Sequence, residues 1–558
     1  MSRKFLGITL PNSPESPEER FGSALGLASI LSSVLAGAVV LLVAPHFPYV
    51  LGRAKFDQDV FHVPTIQKFA AELPVPDLSD YASATTPGFH LGLAVISRIA
   101  PGDTFFHLAT AVIGTSVLVV LGCRVALACG LAVAVHGGAR RSTQLTHVLA
   151  AIAPLACSSY FVQSSLYVLP DNAAWWSVCA VLILALMLAA PVDKGEGMRR
   201  PLVAGGVALV ILVFTRQIHI WAAAPLWVAA VIWAASMPAA AASHRASGSR
   251  FINAVLPPRK AAASDSEFPR FGDLIAGVRS RALAVAVICT LPAFGLLYAF
   301  YRLWGGLTPP RFQAALNPAA VAGSVDATAV TGLSPATPAF VLALFGVLGV
   351  FFIPYALVAL PNRVRTAPRR GVREHLLALP GAYSAIGVGA AVAAVLAGVP
   401  PTTWSSPVRK GGLWNIAQRF EGTPGFDTIG GVHLPRLVIS DHTNLVIFAL
   451  AIIGGGVLGL WWRALEPRAK WVLFAALIAF TAANSAQALS WQRYVEPFVL
   501  VWCIIAVSAR RPEPARDVFD SHLGVMPCRA NDSLWLALGP FALALLLAAV
   551  TISQFTPA

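Results

Sequence analysis

The chain has 558 residues, of which 57% are hydrophobic and only 12% charged, against roughly a quarter charged in an ordinary soluble domain. Water cannot be its only solvent. The formal charge of +14 would suit nucleic acid, but Lys and Arg are dispersed among short segments between apolar stretches instead of gathered on an aromatic-studded patch. No nucleic-acid partner is expected, and membrane topology accounts for the charge.

A helix needs ~20 apolar residues to cross the ~30 Å hydrocarbon core. Thirteen candidate spans occur in order, at 25–44, 107–135, 147–168, 172–190, 202–215, 219–236, 282–303, 338–360, 376–398, 442–462, 471–489, 495–508 and 533–552. The first is too long, and lacks the small-residue cleavage pattern, for a secretory signal peptide, so a retained span is expected. Spans 202–215 and 495–508 are short and must lean on neighbours. With the N-terminus inside, the N-terminal arm and the segments 136–146, 191–201, 237–281, 361–375, 463–470 and 509–532 hold 27 of the 40 Lys and Arg. The positive-inside rule therefore makes those segments cytoplasmic. Between the spans, Pro64–Leu73 and 87–100 are apolar but short, and are expected to lie on the outer face as interfacial helices. The Ala-, Ser- and Pro-rich stretch 239–270 is expected to be a mobile cytoplasmic loop. The expected fold is all-α and polytopic. Its main module spans 1–508, with 45–106 as the first outer loop, and 509–558 adds a cytoplasmic segment and a final helix.

The polar residues that suggest chemistry fall mostly on the outer side. The first loop carries Asp57, Asp59 and His62, two carboxylates and an imidazole able to place a general base beside a lipid headgroup; solvated loop charges are the plainer alternative. Asp171 stands where a span begins, fitted either to cap that helix or to act in a site. Arg216, Gln217 and His219 lie wedged between two apolar stretches. An arginine there needs a partner, and its fork suits a phosphate as well as an Asp of the chain itself. Trp414 and Arg419 follow in a longer outer segment, with His433, Asp441 and His442 after them. Aromatics beside polar groups suit a sugar, although Trp is equally at home at any membrane interface. Arg493 closes the series, with Glu496 as its expected structural partner.

Six of the seven cysteines lie in apolar stretches and Cys528 stands alone in a polar one, so neither a disulfide framework nor a CxxC metal site is expected. Walker, GxSxG, HExxH and Rossmann patterns are lacking too, which leaves ATP-driven transport and soluble-type hydrolysis unsupported.

Taken in order, several motifs resemble the dolichyl-phosphate-glucose alpha-1,2-glucosyltransferase family of C-type, multi-span glycosyltransferases. Asp59-Val60-Phe61-His62-Val63-Pro64 is similar to that family's acidic-x-Phe-His-x-Pro opening, and Thr85-Thr86-Pro87-Gly88 to its Thr-Thr-Pro-Pro-Gly. Leu166–Asp171 resembles its Leu-Tyr-Tyr-Thr-Asp/Glu, Arg216–Trp221 its Arg-Gln-Thr-Asn-Ile-x-Trp, and Arg493-Tyr494 with Pro497 its Arg-Tyr-Tyr-x-x-Pro. The family's Gly-Asp-x-Ser-x-His loop has no clear counterpart in 304–337, so its glucose acceptor is not carried over. The Ala-rich composition looks bacterial.

The resemblance implies an inverting transferase of the cytoplasmic membrane, its site facing outward. It would move a sugar from a polyprenyl-phosphate donor to a lipid-linked or envelope glycan. Asp59 is the expected base and Asp57 the second choice. Arg216 and Arg493 are expected on the donor phosphate, and His62, Asp171, Gln217, His219, Trp414 and Arg419 around the substrates. No metal or other cofactor is expected. The alternatives are a transporter or flippase of a lipid-linked sugar, which needs pathways to both faces, and a scaffolding membrane protein. The orientation predicts that of single cysteines at positions 57 and 365, an impermeant reagent applied to intact cells labels only the first; the opposite pattern would invert the arrangement.

Overall fold

Inside a hydrocarbon layer every backbone N–H and C=O must be satisfied by protein, so uninterrupted apolar stretches become helices. The structure, a computed structural model, describes residues 3–5, 8–10, 17–43, 53–134, 141–190, 198–248, 281–312, 333–360, 380–403, 409–425, 427–439, 441–487, 490–511 and 530–555. The chain is an all-α, multi-pass membrane protein, and its described strands are pairs only two or three residues long.

The helices begin with α1 (Pro17–Val43), α2 (Arg53–Asp57), a π-helical turn (Gln58–His62), α3 (Val63–Glu72), α4 (Gly88–Ile99) and α5 (Asp103–Ala134). Next come α6 (Arg141–Cys157), α7 (Ser159–Leu166), α8 (Asp171–Ala189), α9 (Arg199–Thr215), a 3-10 turn (Gln217–Ala222) and α10 (Ala223–Gly248). The second half holds α11 (Arg281–Trp304), α12 (Thr337–Leu348), α13 (Ile353–Val358), α14 (Pro380–Gly398) and α15 (Gly412–Gln418). It ends with α16 (Leu445–Ala464), α17 (Pro467–Ser485), α18 (Gln492–Ser508) and α19 (Ala530–Phe555).

Eight described helices are long and apolar enough to cross a membrane, or nine if α6 and α7, bent by 74° at their junction, form one broken span. This is fewer than the thirteen stretches expected. The other four are helical as well, as α9, α14, α17 and α18, but fall short in length or apolarity. The reason is clearest at α18, which is buried from Val495 to Ser508. A helix sheathed by protein need not match the bilayer in length or present an apolar face to lipid. Both short helices expected beside the first loop are present as α3 and α4. They pack together through Ile66, Phe69, Phe89 and Leu93, all buried, and Trp304 Nε1 ties them to α11 by donating to the Leu78 carbonyl at 2.9 Å. The loop expected at 239–270 begins as helix, since α10 runs to Gly248; residues 249–270 lie outside the described residues, as does Cys528. The final helix, α19, is no appendage: it packs along α6, and Thr551 Oγ1 donates to the Cys157 carbonyl at 2.7 Å.

The closest helix packing joins α16 to α12 and α14. Lipid tails are as apolar as leucine, so association there rests on close fit, and small residues allow it. Gly454 lies against the backbone of Leu342 and Gly346, while Gly455 and Gly459 lie against that of Gly389 and Ala385, leaving no room for a Cβ. The two ends of α18 define the two ends of the bundle. Asp57 and, through Tyr494, Arg216 gather at its first turn. At its last turn Arg124 Nε donates to Ser508 Oγ (2.9 Å) and the Glu466 N–H to the Ala509 carbonyl (3.1 Å).

The glycine seam predicts that Gly455→Val, which must push two helix backbones apart, lowers stability by at least ~1–3 kcal/mol, the range for an overpacked core. Thermal unfolding in detergent measures it, and an unchanged midpoint would show that the seam does not hold the helices.

Candidate functional site

The first loop's carboxylates part company because of the π turn. Its widened i→i+5 spacing lets Asp57 and His62, five residues apart, both turn inward, at 5% and 8% exposure, while Asp59 stays on the surface. There Asp59 pairs with Lys55 one turn back and accepts from Gln58 Nε2 at 3.1 Å. Asp57 reaches the far end of the sequence, where Arg493 Nη1 donates to its Oδ2 at 2.6 Å. Arg493 therefore pairs with Asp57, not with the expected Glu496. That buried carboxylate instead accepts from Ser158 Oγ (2.6 Å) and Gln492 Nε2 (2.7 Å).

Arg216 is aimed by a break in the chain. It terminates α9 in extended conformation (φ −158°), before the 3-10 turn carries the backbone into α10. Its guanidinium forms an ion pair with Asp171, both side chains being largely buried. Asp171 is the first residue of α8, where the helix dipole favours a negative charge. It caps nothing; the N-cap residue is Pro170, with no side-chain cap bond.

The two ion pairs meet at Tyr494. The Arg216 Cζ lies 4.4 Å from the ring centroid and that of Arg493 5.0 Å, and Arg493 Nη2 donates to the Tyr494 hydroxyl at 2.8 Å. Arg493 also lies 4.9 Å from the Trp491 ring. Cations over aromatic faces gain roughly 0.5–2 kcal/mol, more as water is excluded. Burial would raise the Tyr494 hydroxyl's pKa, but the charges of Arg493 and Arg216 outweigh it and bring the group below its ordinary value. Arg493 Nε is buried with no acceptor, so one donor of the fork remains unused.

Beside this cluster opens a cleft of about 120 Å³, lined by Asp171, Arg493, Tyr160, Trp175, Trp491 and Gly411 among others. Trp175 stands one helical turn beyond Asp171, on the same face of α8. Gly411 has φ +132°, and a Cβ there would run into the Gln492 side chain. That close approach lets Gln492 Oε1 accept from the Leu413 N–H at 2.7 Å and fix the cleft's far wall.

The remaining expected residues are placed as supports. Gln217 clamps the Thr-Thr-Pro-Gly segment: its Nε2 donates to the Ala84 carbonyl (2.7 Å) and its Oε1 accepts from the Thr86 N–H (3.0 Å). Thr86 Oγ1 donates to Val213 O at 2.6 Å, and Gly88 abuts Phe214, where a Cβ would collide. His62 Nδ1 and His90 Nε2 share a hydrogen bond of 2.9 Å inside the α3–α4 layer. Burial lowers both imidazoles, His62 well below its ordinary value and His90 to about 3, so the pair is neutral and holds the loop together. His219 accepts from Trp221 Nε1 at 3.2 Å and meets Trp175 edge-on, one layer behind the cleft. Trp414 is buried against Phe340, with ring centroids 4.4 Å apart, and Arg419 Nη1 donates to the Thr428 carbonyl on an exposed loop. Neither lines the cleft. On that loop His433 faces Asp427 at 3.3 Å and Arg436 Nη2 donates to Asp441 at 2.6 Å.

Asp57, Asp171, Arg216 and Arg493 are thus brought together, with Tyr494, Trp491, Trp175 and Tyr160 added to them. Tyr494 was within reach of sequence reasoning, since it adjoins Arg493 in a recognised segment, and Trp175 was signalled by its i,i+4 spacing from Asp171. Among the described residues no group of three or more His, Cys, Asp or Glu is arranged to hold a metal. Compared with known proteins, the chain matches no family model, no curated protein and no solved structure.

The Arg216–Asp171 pair predicts a strong asymmetry. Asp171→Asn or Arg216→Gln alone strands a buried charge and costs about 3–5 kcal/mol, whereas Asp171→Leu with Arg216→Met removes both and recovers most of the loss. Thermal unfolding of all three variants checks this; a double variant as unstable as the sum of the singles would show that the two residues do not depend on each other.

Proposed function

We propose that the chain is an inverting glycosyltransferase using a polyprenyl-phosphate sugar, of the C-type that its motifs resemble. One observation carries the reading: Arg216, which is buried, and Arg493, which is partly so, converge on one tyrosine beside an aromatic-lined cleft, and Arg493, which lines that cleft, keeps a hydrogen-bond donor without an acceptor. Guanidinium forks match phosphate oxygens, and Trp175, Trp491 and Tyr160 offer the flat apolar faces on which a sugar ring rests. In this reading the Asp57 end of the bundle faces outward, in a bacterial cytoplasmic membrane with the N-terminus inside, and all thirteen apolar helices count as crossings.

The quartet of two arginines and two aspartates is neutral, so it can stay buried while empty. A donor phosphate competes with the carboxylates for the guanidinium donors. As Arg493 turns to the phosphate, Asp57 is released to accept the proton of an acceptor hydroxyl. The hydroxyl oxygen then attacks the anomeric carbon, the bond from that carbon to the phosphate oxygen breaks, and polyprenyl phosphate leaves with the electron pair while both arginines hold its charge. Configuration inverts. The proton rests on Asp57 until water removes it. Asp57 takes the role first assigned to Asp59, because Asp59 is nearly half exposed and tied to Lys55.

The test is transfer by the full-length protein in nanodiscs, supplied with labelled polyprenyl-phosphate sugars and envelope glycolipids. Wild type forms product. Asp57→Asn lowers the rate about 10²–10⁴-fold, the usual scale of base catalysis, and Arg216→Ala and Arg493→Ala about 10²–10³-fold. Asp59→Asn loses less than about tenfold, a change too small for a lost base. Undiminished product from the Asp57 and arginine variants would sink this assignment. Donor carried across the bilayer uncleaved would instead identify a flippase.

A further inference from the structure

At the end of the bundle opposite Arg493, a second set of cations gathers where the turn from α16 to α17 meets the end of α18. The Leu465 and Arg510 backbones form an antiparallel bridge there. The Arg511 N–H donates to the Ala464 carbonyl at 3.0 Å and its Nε to Leu465 O at 3.1 Å. This stitching fixes Arg463, Arg468, Lys470, Arg510 and Arg511 around one short turn whose one carboxylate is Glu466. All five cations are half-buried, so water screens them incompletely. Arg511 shows the crowding: burial lowers its pKa first and neighbouring Arg463 lowers it further, while Glu466 opposes both. Lys470 is lowered by burial, then by Arg511 and Arg463.

Aromatic rings set the depth of this basin. Lys470 Nζ sits 4.7 Å from the Trp462 ring centroid, and Trp462 packs edge-on against Trp471, which is itself 37% exposed. Exposed tryptophan beside lysine is the pattern of the headgroup layer. Deeper in, the Arg510 Cζ lies 5.3 Å from the Tyr355 ring, whose hydroxyl is held by His147 Nδ1 at 2.9 Å. Arg510 Nη1 is withdrawn from water with no acceptor. Among the described residues, Arg463, Arg468, Arg510 and Arg511 gather about Glu466, and one guanidinium nitrogen of Arg510 has no acceptor, so the cluster favours an anion.

We propose that this basin binds the phosphodiester headgroup of an anionic membrane lipid, the acyl chains lying along the exposed Trp471 face. A basic cluster among helix ends beside exposed tryptophan fits such a lipid, and its position at the far end from Arg216 and Arg493 separates it from the cleft. The inference does not rest on the transferase reading.

Full-length protein in detergent, titrated with phosphatidylglycerol or phosphatidylcholine and read by native mass spectrometry and thermal shift, tests it. Phosphatidylglycerol adducts should exceed phosphatidylcholine adducts by about tenfold or more, and only the former should raise the melting temperature. Lys470→Gln with Arg511→Gln should weaken binding about fivefold per cation, and Arg468→Gln alone, away from the backbone stitching, by about fivefold. Arg302→Gln, exposed at the other end, should bind as wild type does. Equal binding of the two lipids would overturn the proposal, as would equal loss in Arg302→Gln. Inorganic phosphate stabilising the protein as well as the lipid does would overturn the lipid assignment.

Discussion

A guanidinium drawn out of water at the edge of a hydrocarbon layer must have an anion beside it, because an isolated buried charge costs far more than any single packing contact returns. The chain meets this requirement twice at one end of the bundle, with Arg216 against Asp171 and Arg493 against Asp57. Much of the local architecture serves to bring those pairs to one place. The break after α9 aims Arg216, the start of α8 supplies Asp171, the π turn rotates Asp57 inward, and the first turn of α18 carries Arg493. The four residues come from distant parts of the sequence, so their meeting fixes how the first loop, the α8–α9 pair and α18 lie against one another.

The same constraint sorts structural residues from those that face the cleft. Gln217 and Thr86 spend their hydrogen bonds on backbone groups, and the His62–His90 pair is neutral inside an apolar layer. These groups hold the loop in place and have little left for a ligand. Arg493 differs: it lines the cleft and has a donor to spare. Tyr494, with the guanidinium groups of Arg216 and Arg493 both over its ring, stands beside the cleft where a further anion would meet both charges.

The helical, many-span character was legible from composition and apolar runs alone, and so were the short helices at 64–73 and 87–100, because length and amphipathicity are local properties. Which of the thirteen stretches stand as long apolar spans by themselves was not, since a helix such as α18 is sheathed by neighbours that only the tertiary structure supplies. Arg216, Arg493 and Asp171 stood out as ionisable groups at span boundaries. Which of Asp57 and Asp59 turns inward was beyond sequence pattern, because it depends on one π-helical turn that no composition announces. Trp414 and Arg419 suggested a sugar site by residue type, yet their surroundings make one a core ring stacked on Phe340 and the other a loop brace.

The central claim, that Arg216 and Arg493 together receive a lipid phosphate, is tested most directly by electron cryomicroscopy of the protein with a polyprenyl phosphate bound. The account predicts phosphate density between the two guanidinium groups, touching Arg493 Nε, with Asp57 drawn away from Arg493. Phosphate density elsewhere, with both ion pairs intact, would contradict it.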